Sequence, residues 1–195
     1  MSIKFLPLRP FAVSLLLTVG FFSACASTAK DVFKGVDRIV AVGDLHGDYD
    51  QYIKVLTTNG LVDEALRWAG GKTHFVQLGD VVDRGPDSNK IIRHLMKLEK
   101  EAKKKGGRVH VLIGNHEVMN VQGDLRYVHP GEYSALITEN SEAVRESYIE
   151  AVYRHRVTIN PTLATNPNLV MQGLKKEFPL GYVEHRTLWE PGQEM

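Results

Sequence analysis

Cysteine is nearly absent from this chain. Cys25 is the only one in 195 residues, so no disulfide can close within the chain and no soft thiolate is available beyond the N-terminal segment. Charge of one sign is lacking too. Lys and Arg number 24 against 23 Asp and Glu, a net of +1, which supplies no field for gathering nucleic acid or a membrane surface. No internal repeat and no low-complexity tract interrupts the sequence. The longest strongly apolar stretch, residues 11–22, falls short of the ~20 residues that a spanning helix needs. What remains is ordinary globular material, 43% hydrophobic and 24% charged, enough for one core in one domain.

The apolar stretch follows Lys4 and Arg9 and ends in Ser23-Ala24-Cys25-Ala26-Ser27. A basic start, a short apolar run and a small-residue site form the layout of a secretory signal, in preference to a buried helix or an anchor. The expected organisation is therefore a signal over residues 1–26 and one domain over 27–195. Export across the inner membrane to the periplasm follows. Cys25 leaves two outcomes open. It stands where a bacterial lipoprotein carries its lipidated cysteine, which would tether the chain to a membrane. Against that, Phe22 occupies a place where Leu is usual, and Ala24-x-Ala26 suits plain cleavage after Ala26. Loss of residues 1–24 leaves 22 basic against 23 acidic residues, a net of −1.

Three short apolar runs follow: residues 38–42, 74–78 and 108–113. Each ends at Gly-Asp or Gly-Asn, as buried strands do. Helical patterns lie between them over residues 49–56, 62–68 and 87–105. The last carries an apolar stripe of Ile91, Ile92, Leu95, Met96 and Leu98, with Asp87 or Ser88 to cap it and Lys103-Lys104-Lys105 at its end. Those lysines suit a helix C-terminus and imply no nucleic acid. Alternating strands and helices predict an α/β fold with a parallel sheet and right-handed crossovers. Ligands of such sheets bind beyond the carboxyl ends of the strands, where all three Gly-Asp or Gly-Asn turns fall. Residues 141–153 read as helical. Residues 160–195 hold four of the eight prolines and show no clear strand.

The chemistry concentrates in Gly43-Asp44-Leu45-His46-Gly47, Gly79-Asp80-Val81-Val82-Asp83-Arg84-Gly85 and Gly114-Asn115-His116-Glu117. Each places a metal-binding side chain just past a strand. Carboxylate and imidazole donors suit Mn, Fe or Zn. The flanking glycines let the backbone turn sharply and leave room for a phosphate. Taken singly, each residue has a plain reading: a helix cap for an Asp, a surface Arg84, a turn His46. The set in order is what points to a phosphoesterase site.

These segments resemble the metallophosphoesterase signatures in the form used by the phosphoprotein phosphatases. Asn115-His116-Glu117-Val118-Met119-Asn120 followed by Gly123-Asp124-Leu125-Arg126-Tyr127-Val128 is similar to the bacterial-type Shewanella-like phosphatases, over about residues 38–133. The resemblance implies an α/β metallophosphoesterase sandwich and two divalent metal ions, Mn first, with Fe or Zn as alternatives. It implies Asp44 and His46 on one metal, Asp80 bridging both and Asn115 on the second, with a hydroxide activated between the metals. It gives Arg84 and Asn115 to the phosphate, His116 to the leaving group as acid, and Asp83 to His116 as its partner. Arg126, with Asp124 and Tyr127, would line the substrate side. Glu117 is either a support for the ligands or a first-turn helix acid.

The family also brings two further histidines and an arginine from a later half of the fold. His129, His155 and His185 lack the strand-and-glycine setting of such ligands; His185 is the least unsuited. The second half of the sandwich is thus expected to be incomplete, leaving apolar surface exposed. The implied substrate is a phosphorylated protein, on tyrosine or on serine and threonine, or a small phosphomonoester, with no nucleic-acid partner. Two alternatives stay open: a hydrolase of nucleotides or dinucleoside polyphosphates, and an inert remnant or binding module.

Overall fold

The structure, a computed structural model, describes residues 32–192. The signal-like segment 1–26 and Cys25 lie outside the described residues. The chain divides into Met1–Lys34 and Gly35–Met195, and the second unit holds every element named below.

Strands β1 (Ile39–Val42), β2 (His74–Gln77) and β3 (Arg108–Val111) form one parallel sheet in the order β1-β2-β3. The register sets Val40, Phe75 and Val109 side by side, so one face of the sheet carries an apolar row. Helices α1 (Tyr49–Thr58) and α2 (Ser88–Lys104) supply the matching stripes. Tyr52 and Leu56 from α1, and Ile91, Leu95, Leu98 and Ala102 from α2, join Phe75 and Trp68 in one buried core. Asp48 starts α1 by accepting the Gln51 N–H, an ordinary side-chain cap. The expected parallel sheet is therefore present. Among the described residues there is no second sheet. Ile39 and Ile113 stay 63% and 77% exposed.

Residues 62–68, expected to be helical, are not. Val62 and Trp68 pair as an antiparallel bridge across a tight excursion. Asp63 is the cause: its Oδ1 accepts the N–H groups of Ala65 at 3.0 Å and Arg67 at 2.9 Å, a local alternative to helical bonding. Leu66 takes φ 55° to close the turn. Trp68 is fully buried, and its backbone N–H donates to the Glu101 carboxylate at 2.8 Å.

Past the sheet come α3 (Asn115–Gln122), α4 (Pro130–Ser134), α5 (Ser141–Ile159), a 3-10 turn (Pro161–Thr165), α6 (Pro167–Glu177) and α7 (Tyr182–Leu188). Helix α5 outruns the expected 141–153 by six residues. Ile149, Leu174 and Phe178 make a second, smaller core with Tyr148 and Tyr182, whose rings stand 5.2 Å and 4.9 Å from that of Phe178.

Candidate active site

Backbone bonds lace the first two strand-end turns together, and side chains tie in the third. Leu45 and His46 both donate N–H to the Asp80 carbonyl, at 2.9 and 3.0 Å, and Gly85 donates to that of His46 at 2.9 Å. Two side chains tighten the arrangement. The fully buried Gln77 donates from Nε2 to the carbonyls of Gly43 and Gly79, at 2.7 and 2.8 Å. The Glu117 carboxylate accepts the backbone N–H groups of Gly114, Val81 and Asp80, at 2.7, 2.8 and 2.9 Å. Both readings of Glu117 thus hold: it sits in the first turn of α3 and it supports the loop that carries Asp80.

This lacing holds strained backbone. His46, Asp80, Asp83 and Arg84 lie at φ 47°, 50°, 71° and 67°, four of the five non-glycine residues with positive φ among those described. Each such residue costs on the order of 1–2 kcal/mol, and strain of this kind collects at functional sites. Gly47 shows how close the loops run: a Cβ there would lie 2.6 Å from the Gly85 carbonyl oxygen.

His46, Asp80 and His116 bring ligand atoms within 4.8 Å of one another. His46 Nδ1 lies 3.0 Å from the Val82 carbonyl, which can only accept, so Nδ1 carries a proton and the neutral ring bears its lone pair on Nε2. That Nε2 is buried without a hydrogen-bond partner, 3.5 Å from Asp44 Oδ2. The α3 N-terminus aims Asp80: the His116 N–H donates to Asp80 Oδ1 at 2.9 Å. An orphaned imidazole nitrogen facing carboxylates is the chemistry of a divalent metal site, and these residues fit one.

Behind the centre His116 Nδ1 meets Asp83 Oδ2 at 2.7 Å, both side chains almost wholly buried. In front, the exposed Arg84 brings its guanidinium to 3.4 Å from His116 Nε2, and its backbone N–H is fixed by the Tyr127 carbonyl. The rings of His46 and Tyr127 flank that of His116 at 4.7 and 5.3 Å. A groove of about 480 Å³ opens beside Arg84, lined by His46, Asp48, Tyr49 and Asp87 among others.

The structure therefore gathers His46, Asp80, His116, Asp83 and Arg84. Asp44 stands at the rim, its side chain 64% exposed. Asn115 opens α3, exposed, one residue before His116. Arg126 is taken up by Asp124 in a forked pair, with bonds of 2.6 to 3.1 Å, and hydrogen bonding from Arg126 holds the Asp124 carboxyl below its usual range. His129 caps α4 by accepting the Gly131 N–H, and His155 is exposed on α5. His185 is not in the metal-ligand group; its Nε2 meets Asn120 Oδ1 at 2.9 Å. Sequence reasoning missed Gln77 and Asn120. A Gln inside an apolar strand, one residue before Leu78-Gly79-Asp80, was the available signal for the first. For the second it was the four-residue spacing from His116, which puts both on one face of α3.

The family model described as calcineurin-like phosphoesterase matches residues 37–181. The chain belongs to the calcineurin-like phosphoesterase family. Shewanella-like protein phosphatase 2 of Arabidopsis thaliana is 48% identical over 96 residues, which are 49% of this chain and 25% of that protein. Shewanella-like protein phosphatase 1 of Plasmodium berghei is 37% identical over 131 residues, 67% of this chain and 33% of that protein. A crystal structure of a cold-active protein-tyrosine phosphatase from a psychrophilic Shewanella species shares 42% identity, with a TM-score of 0.48, covering 49% of this chain and 29% of that one. The chain thus spans a quarter to a third of the length of these curated relatives. Calcineurin-like phosphoesterases use divalent metals, in keeping with the His and Asp donors gathered here.

Proposed function

We propose that this chain carries the metal- and phosphate-binding groups of a metal-dependent phosphomonoesterase, acting on phosphorylated protein side chains. The observation that carries the reading is the buried His116–Asp83 pair, 2.7 Å apart, with the Arg84 guanidinium 3.4 Å from the outer nitrogen of His116 and the His46–Asp80 donors beside it. Asp44, His46 and Asp80 would hold one divalent ion; Asp80 and the Asn115 amide oxygen would contribute to a second. Manganese is the first choice for this oxygen and nitrogen set, before iron or zinc. Bound divalent ions supply charge neutralisation at phosphate and water of lowered pKa.

The remaining steps belong to the protein. Arg84 turns its forked donors onto two phosphate oxygens, which a lysine could not do with the same geometry. With Arg84 turned to the phosphate, Nε2 of His116 is free to carry a proton and to deliver it to the leaving oxygen as water takes that oxygen's place on phosphorus, yielding the alcohol or phenol and inorganic phosphate. Asp83 keeps the Nδ1 proton in place and stabilises the imidazolium before transfer. The names of the Arabidopsis and Plasmodium relatives support a phosphoprotein substrate. The signal-like residues 1–26 support a periplasmic setting, with Cys25 as the point of any lipid tether.

The test is hydrolysis of p-nitrophenyl phosphate, a phosphotyrosine peptide and a phosphothreonine peptide by the chain with added Mn²⁺, beside Asp80→Asn. Turnover is expected to depend on metal and to fall at least about 100-fold in the variant. A folded protein that binds Mn²⁺ by calorimetry yet turns over no monoester would leave a metal-binding module. Cleavage confined to dinucleoside tetraphosphates would move the substrate to nucleotides.

A further inference from the structure

Asp83 has two carboxylate oxygens, and only Oδ2 serves His116. Its Oδ1 accepts from Asn120 Nδ2 at 2.9 Å. The same Nδ2 gives its other hydrogen to the His116 backbone carbonyl at 3.0 Å. With both hydrogens committed, the amide must present Oδ1 on its far side, and there it meets His185 Nε2 at 2.9 Å. An amide oxygen only accepts, so His185 carries its proton on Nε2. The flipped amide would set its oxygen against Asp83 Oδ1, acceptor to acceptor. His116, Asp83, Asn120 and His185 are each no more than 4% exposed, so no solvent can substitute for a missing member. The line crosses 65 residues of sequence, from α3 to α7.

A histidine placed here for packing alone is a poor choice. Its Nδ1 is buried without a hydrogen-bond partner, a cost that Leu or Met at the same place avoids. The imidazole is positioned for one bond, the one to Asn120.

We propose that His185 is a positioning residue for the His116–Asp83 pair, acting through the Asn120 amide. Its Nε2–H fixes which way Asn120 faces. Asn120 then fixes the plane of the Asp83 carboxylate, and the carboxylate fixes the aim of His116 Nε2 at the leaving oxygen. The proposal rests on the phosphoesterase reading only for its catalytic consequence; the hydrogen-bond relay itself does not depend on it.

Two readouts on the full chain test it, in His185→Leu, His185→Gln and Leu174→Ala. Gln can donate one amide hydrogen to Asn120; Leu cannot. Leu174→Ala weakens the packing beneath α7 without touching the relay. In metal-free protein, the proton NMR signal of His116 Nδ1–H should move or broaden in His185→Leu and return in His185→Gln. In turnover, His185→Leu should lose about tenfold more on phenyl phosphate than on p-nitrophenyl phosphate, whose leaving group needs little proton transfer. Leu174→Ala should lose equally on both. An unmoved His116 signal in His185→Leu overturns the relay, and equal losses on the two esters overturn the positioning role. If the unaltered chain turns over neither ester, the phosphoesterase reading fails while the NMR signal still decides whether the relay exists.

Discussion

The Glu117 carboxylate gathers three backbone N–H groups from the ends of two neighbouring strands. A charged acceptor bonded three ways is strong, and its loss leaves donors unpaired. Glu117→Gln keeps the shape but replaces one oxygen by an NH₂ that faces N–H groups. It should cost about 1–3 kcal/mol in urea unfolding and weaken Mn²⁺ binding by about 10–100-fold in titration calorimetry, because Asp80 loses its backbone support. A variant with unaltered Mn²⁺ affinity would reduce Glu117 to a helix-capping acid. Among the residues that the structure gathers, His46, Asp80 and His116 were legible from local signals, since each lies just past a strand and a glycine. Asp83 and Arg84 were legible only by resemblance, since nothing in Val-Val-Asp-Arg-Gly announces two successive left-handed residues. Asn120 and Gln77 left only a local signal, a spacing on α3 and a Gln inside a strand, while the partners that give them a role, Asp83 and Gly43, lie 37 and 34 residues away.

Elements that fold by their own periodicity were read well, and those decided by a single side chain were not. Helix α2 was expected over 87–105 and is Ser88–Lys104, but Asp87 does not cap it with its side chain; the Ser88 N–H is held by the buried Glu132, 44 residues on. Residues 62–68 failed because Asp63 offered the backbone a better local partner than the helix did. The tail from residue 160 held a readable signal. Asn160-Pro161 and Asn166-Pro167 each put an N-cap residue before a proline at the first helical position, and both asparagines accept a backbone N–H in that role. Helix α6, which Asn166 starts, is held by the small core around Leu174, which is 1% exposed. Leu174→Ala should therefore cost about 2–5 kcal/mol in urea unfolding, the usual price of a truncated leucine in a core that cannot collapse around the gap. A loss under about 1 kcal/mol would mean that α5, α6 and α7 are not packed as one body.

For the molecule as a whole, acid stability should report on the same buried histidine that ties α7 to the site. Burial lowers the His185 pKa from 6.5 to about 4, with the Asp83 charge opposing the shift only in part. A folded-state pKa below the unfolded one means that the unfolded chain takes up the proton first. The stability His185 contributes is then fully present above about pH 6.5 and is lost as pH falls toward 4, by about 3 kcal/mol in the limit. Glu132 works in the other direction. Burial raises its carboxyl pKa, so acidification relieves a charge that the fold holds at a cost. Wild-type curves alone would mix the two with every other carboxylate. Comparison with His185→Gln cancels what the two chains share. Between pH 7.5 and 4.5 the natural chain should lose about 2 kcal/mol more unfolding free energy than the Gln variant. Parallel losses would mean that His185 is protonated in the folded state at pH 4.5 and that water reaches the imidazole, in conflict with its 4% exposure.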